Sequence, residues 1–132
     1  MTGVDIVVLG AKVREMYRKV AEQPHGTYHF EMGRPLADRL GYPDDVLNRI
    51  PAGAVDSFAG VGYFFDLADL ADGENTIDLG SGSGMDAFIA ARLVGPAGRV
   101  VGVDFTAEQL GKARALAAAV GLSNVEFREG RI

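Results

Sequence analysis

Asp78-Leu79-Gly80-Ser81-Gly82-Ser83-Gly84 is the stretch on which the reading of this chain turns. Glycines at alternate positions let a backbone bend sharply off the end of a strand. They also let a ligand approach the main chain without meeting a Cβ. Thr76-Ile77-Asp78-Leu79 runs into the bend as a short strand, and Met85 to Val94 leaves it as a helix. Phe88, Ile89, Ala91 and Leu93 are the expected packing residues of that helix. Its first amides, at the positive end of the helix dipole, point back toward whatever sits in the bend.

Downstream, Gly95-Pro96-Ala97-Gly98 reads as a turn. Arg99-Val100-Val101-Gly102-Val103 is a second strand, nearly all apolar as in a buried parallel strand, and Asp104 closes it. Thr106-Ala107-Glu108-Gln109 matches a capping box at the start of a helix that runs to about Val120, where Gly121 caps it. Val125-Glu126-Phe127-Arg128 is a third strand. Strand-helix-strand-helix-strand implies an α/β layer with right-handed crossovers.

Upstream the period changes. Ile6, Leu9, Val13, Met16 and Val20 recur at helical spacing, and Pro24-His25-Gly26-Thr27 ends that helix. Pro35 and Gly41 bracket a short helix, and another lies between Pro43 and Pro51. Residues 1–56 therefore read as a helical N-terminal cap region, and 57–132 as the α/β part. Ser57 to Phe65 is an aromatic loop containing glycines, and Phe65 to Leu70 reads as a short helix closed near Gly73.

Composition narrows the function classes. A chain of 132 residues, 48% hydrophobic and 23% charged, fits one soluble globular domain. No apolar run approaches the roughly 20 residues of a membrane span, and no basic segment precedes Ile6. The chain has 0 Cys, which excludes thiolate chemistry and fits a cytoplasmic protein. A net charge of -5 argues against a broad nucleic-acid footprint and leaves a small-molecule substrate as the expected partner, with no membrane.

The bend also constrains its ligand. Asp104 ends the next strand about 20 residues past Gly84, where a doubly wound nucleotide site places the acid that accepts ribose hydroxyls. The dinucleotide pattern G-x-G-x-x-G would need its third glycine at the position of Met85, and no P-loop Lys is present. A carboxylate at Asp78 is a poor neighbour for pyrophosphate. It suits a ligand carrying an ammonium and a sulfonium.

Together these segments resemble class I S-adenosylmethionine-dependent methyltransferases, whose cofactor has both groups. Asp78 to Gly84 resembles their motif I, Val100 to Asp104 the acidic ribose motif, and Gly121 to Gly130 the third-strand segment. Asp78 to Asp86 and Val103-Asp104-Phe105-Thr106 are similar to the arsenite methyltransferase branch. The resemblance implies a Rossmann-like, doubly wound parallel α/β sheet, of which this chain supplies the first three strands, preceded by the helical region. It implies that Gly80, Ser81, Gly82 and Gly84 make room for the methionine part of S-adenosylmethionine. Asp78 would hold its amino group, Asp104 its ribose, and Phe105 its adenine, with Arg131 and Ile132 near the adenine edge. Tyr63 is a further candidate, either as a cofactor contact or as a core aromatic beneath its loop. In the arsenite branch a Gly-Cys-Gly-x-Pro loop binds arsenic. Here Val61 replaces the cysteine and Phe64 the proline, so that chemistry is not expected.

His29, flanked by Tyr28 and Phe30, is a weak candidate base from a substrate cap, and His25 and His29 make a poor metal pair because Pro24 and Gly26 interrupt the helix between them. No metal is expected. The family sheet has seven strands, with the fourth beside the first, so Ile77 and Leu79 are expected on an uncovered edge. A longer enzyme, a homodimer through that edge, or a separate completing chain would each cover it. The alternative to a methyltransferase is a non-catalytic half-fold that pairs through the same edge.

Overall fold

The computed structural model describes residues 31–131. The expected helix at 4–23, His25, His29 and Ile132 lie outside them.

Four short helices come first. α1 is Gly33–Leu40, so Pro35 falls inside the first turn, where a missing N–H removes no helical bond. Gly41 ends it in the left-handed region at φ 94°. α2 (Asp44–Leu47) and α3 (Ala52–Asp56) each follow a proline, Pro43 and Pro51. α4 (Phe65–Ala68) is a single turn closed by Asp69 at φ 48°, earlier than the closure expected near Gly73. Asp is one of the few residues with a side chain that enters this region readily, so it stops the helix without a glycine.

The α/β layer follows: β1 (Asn75–Leu79), α5 (Met85–Val94), β2 (Arg99–Asp104), α6 (Ala107–Val120) and β3 (Val125–Glu129). The strands are parallel in the order β1-β2-β3, with Asp78 opposite Gly102 and Val103 opposite Arg128. With strands laid down in one direction, right-handed crossovers put both helices on the same side of the sheet. Val100, Phe88, Leu110 and Phe127 are buried between them, and the Phe88 and Phe127 rings lie 5.6 Å apart.

That one-sidedness corrects the expectation for β2. Val100 and Gly102 are buried beneath the helices, but Val101 and Val103 on the other face are only half-buried. Ile77 and Leu79 stand out on the same face, 66% and 60% exposed, and β1 pairs only with β2 among the described residues. Leu93, expected in the core, is 42% exposed because it faces away from the sheet while Phe88, Ile89, Ala91 and Val94 face inward.

The helical region packs on the α/β layer rather than standing apart from it. Leu36, Ala37, Tyr42, Leu47, Ile50, Ala54 and Val55 join one buried cluster with Met85, Phe88, Leu110 and Ala113. α3 lies against both α1 and α6, which brings the loop after α3 over the glycine bend.

Candidate cofactor site

The bend is built as a continuation of the sheet. Gly80 N–H and Ser81 N–H both donate to the Val103 carbonyl, at 2.7 and 3.0 Å, so the chain leaves β1 and folds over the end of β2. That brings Gly82 N–H within 2.9 Å of Asp104 Oδ2. The other Asp104 oxygen, Oδ1, accepts from Thr106 N–H at 2.9 Å. Asp104 is 6% exposed and is aimed at the bend.

The second bond explains a departure at α6. Thr106 is its N-cap residue but makes no side-chain cap, and the expected capping box does not form. In such a box the residue at Gln109 reaches back to the Thr106 N–H. Asp104 already holds that N–H, and Gln109 turns to accept from Ser83 Oγ, tying α6 to the bend.

Asp78 and Asp104, with Gly80, Ser81, Gly82, Gly84 and Phe105, line one cleft of about 220 Å³. Its opposite wall comes from Ala54 and the segment Ser57 to Gly60. Asp78 Oδ2 and Ser81 Oγ are buried without a hydrogen-bond partner among the described residues. Buried polar atoms are normally satisfied, so a cleft with an orphaned carboxylate oxygen and hydroxyl fits a ligand that supplies donors and positive charge. Burial raises the Asp78 pKa, and the Asp86 and Asp104 carboxylates raise it further, to about 7.

Tyr63 is not part of this cleft. It is half-buried, edge-on to Tyr42 at 4.9 Å and tilted against Phe65 at 5.7 Å, and it faces a separate pocket beside Ile89 and Leu122. Arg131 is exposed and does not line the cleft either.

Asp86 at the cleft, and Tyr42 bonded to it, carry no role assigned from the sequence. Asp86 lies in the first turn of α5 and lines the cleft, and Tyr42 donates to its Oδ1 at 2.5 Å. Asp86 follows directly on the glycine bend, which was the available signal. Tyr42 sits 44 residues away in sequence, and no local pattern pairs them.

Replacing Asp104 by Ala removes the acceptor for two backbone N–H groups as well as a ligand contact. The expected result is a loss of stability of about 2 kcal/mol in urea unfolding, from the two orphaned donors, together with loss of cofactor binding.

Residues 70–132 match the profile of a methyltransferase domain. An arsenite methyltransferase of Halobacterium salinarum is 47% identical over 96 residues, 73% of this chain and 24% of its own length. Residues 70–132 are thus similar to S-adenosylmethionine-dependent methyltransferase domains. The solved structure of an arsenic (III) S-adenosylmethionine methyltransferase from Chlamydomonas reinhardtii superposes with a TM-score of 0.56 at 36% identity, over 66% of this chain and 31% of that one. A 23S rRNA (uracil(1939)-C(5))-methyltransferase of Acinetobacter baylyi is 45% identical over 62 residues, 47% of this chain and 13% of its length. This chain thus spans about a quarter of the first curated relative's length. A methyltransferase named for 23S rRNA is similar to this chain over 62 residues, so the expectation of no nucleic-acid partner, drawn from net charge alone, is not supported. The family's cofactor is S-adenosylmethionine. Among the described residues no helix is long and apolar enough to cross a membrane.

Proposed function

We propose that this chain supplies the cofactor-binding half of an S-adenosylmethionine-dependent transfer of a methyl group to a small-molecule acceptor. The observation that carries the reading is the Gly82 N–H bond to Asp104 Oδ2. It draws the ribose-type acid against the bend, and Asp78, whose buried Oδ2 has no partner among the described residues, lines the same cleft. Asp78 would hold the amino group, Asp104 the ribose hydroxyls and Phe105 the adenine, with Ser81 Oγ offering a further hydrogen bond. When bound, S-adenosylmethionine supplies a methyl group activated on a sulfonium. The chain's own part is to orient that cofactor and exclude water from it. Val61 at the position of the arsenic-binding cysteine supports an acceptor other than arsenite.

Isothermal titration of the chain with S-adenosylmethionine and with NAD tests this. Binding of the first and not the second is expected, and the reverse would sink the reading.

A second reading is a half-fold that pairs through β1, supported by the exposed Ile77 and Leu79. Solution mass separates the two. A dimer that binds neither nucleotide is the outcome expected of the half-fold.

A further inference from the structure

Asp86 is held, but not neutralised. Tyr42 lies between α1 and α2, 4% exposed, with its ring fixed edge-on by Phe58 at 5.2 Å and Tyr63 at 4.9 Å. Its hydroxyl donates to Asp86 Oδ1 at 2.5 Å and has the Gly62 carbonyl 3.2 Å away. Asp86 and Asp78 line the same cleft.

We propose that Tyr42 is a positioning residue for the cofactor cleft: its hydroxyl fastens Asp86 beside Asp78, so that two carboxylates meet the cationic end of the ligand. This rests on the cofactor reading above. The groups facing the pair are Asp104 from the end of β2 and Tyr42 from the helical region, with Tyr63 behind the Tyr42 ring. Among the described residues neither acid forms an ion pair with Lys or Arg. A basic residue in place of Tyr42 would fix Asp86 equally well but cancel the charge that attracts the ligand. A neutral donor fixes the carboxylate and leaves its charge available. The α5 N-terminus adds a favourable dipole for an anion at Asp86.

The hydroxyl has one hydrogen and two acceptors within reach. With Asp86 ionised, that hydrogen goes to the carboxylate. Should Asp86 take up a proton, its own O–H can donate to the Tyr42 oxygen, and the tyrosine hydrogen turns to Gly62. Burial raises the Asp86 pKa, and the Tyr42 bond opposes the rise. Without the hydroxyl, Asp86 keeps its proton to higher pH, and the cleft carries less negative charge as pH falls.

Tyr42→Phe in the full chain tests this, since phenylalanine keeps the ring contacts. The probe is S-adenosylmethionine, titrated from pH 6 to 9 against wild type at each pH. Affinity is expected to fall about tenfold at pH 6.5 and to lie within about twofold of wild type at pH 9. In an Asp86→Asn background the same substitution is expected to have an effect independent of pH. An equal loss at every pH, the mark of a merely structural residue, overturns the proposal, as does unchanged affinity at pH 6.5. A pH-dependent effect that persists in the Asp86→Asn background overturns it too. Wild type that binds no S-adenosylmethionine at any pH overturns the cofactor reading itself and this proposal with it.

Discussion

Replacing Asp78 by Asn is expected to stabilise the ligand-free chain at pH 8 and at the same time weaken its affinity for S-adenosylmethionine about a hundredfold. The two effects share one cause. In the folded chain burial, then Asp86, then Asp104 raise the Asp78 pKa from 3.8 to about 7. The unfolded chain gives up that proton near its ordinary value, about 3.9, and the folded chain keeps it until about neutrality. Between those limits the folded state binds more protons, so this group's stabilising share is full below about pH 4 and is lost as pH rises through 7. At about 1.4 kcal/mol per unit, the charged carboxylate costs on the order of 2–4 kcal/mol above neutrality. Asn has no proton to lose and keeps the shape. Urea unfolding at pH 5 and pH 8 should therefore show wild type weaker at the higher pH by more than Asp78→Asn is, with the variant the more stable of the two at pH 8. Titration calorimetry should show an affinity lower by about a hundredfold, the range expected for losing a charged hydrogen-bond partner. A variant that binds as wild type does would remove Asp78 from the ligand, and one less stable at pH 8 would remove the strain.

The same residue shows why parts of the site were legible in sequence. A glycine bend after a strand, with an acid one strand over, is a local pattern whose geometry follows from chain connectivity. The parallel register does the rest, placing Asp104 where the Val103 carbonyl draws the bend in. The boundaries of α5 and α6 were legible for a similar reason, since the bend and Gly121 terminate them locally. The early stop of α4 at Asp69 is a local departure, and the other failures are tertiary. Gln109 fits a capping box until Asp104 takes the amide it would have reached. Leu93 fits an apolar helix until the sheet covers only one side of that helix. The sequence left Tyr63 open between a cofactor contact and a core aromatic, and its ring packs against Tyr42 and Phe65. The Tyr42 bond to Asp86 joins two segments 44 residues apart, and neither segment carries a mark of the other.

Two glycines of one bend should fail in opposite ways. A Cβ on Gly84 would lie 2.9 Å from Phe127 Cζ and 2.9 Å from Phe88 Cε2, closer than real Cβ contacts come. Those rings are buried and packed on each other, so neither has room to yield. The residue also sits at φ 99°, which alanine enters only with strain. Overpacking of about 1–3 kcal/mol added to backbone strain of about 1–2 kcal/mol is a large share of a small domain's stability. Gly84→Ala is expected to broaden or abolish the cooperative thermal transition followed by circular dichroism. Gly82, at φ 56°, lines the cleft, and a Cβ there would meet nothing within 4 Å. Gly82→Ala should keep the fold at a cost of about 1 kcal/mol, since the strain is the only penalty. The added methyl group would stand where a ligand reaches the backbone, and affinity for S-adenosylmethionine should drop at least about tenfold, roughly 1.4 kcal/mol. One bend would then serve two ends, with Gly84 giving space to the core and Gly82 giving space to the ligand. Equal binding by wild type and a folded Gly82→Ala chain would mean that no ligand approaches the main chain there.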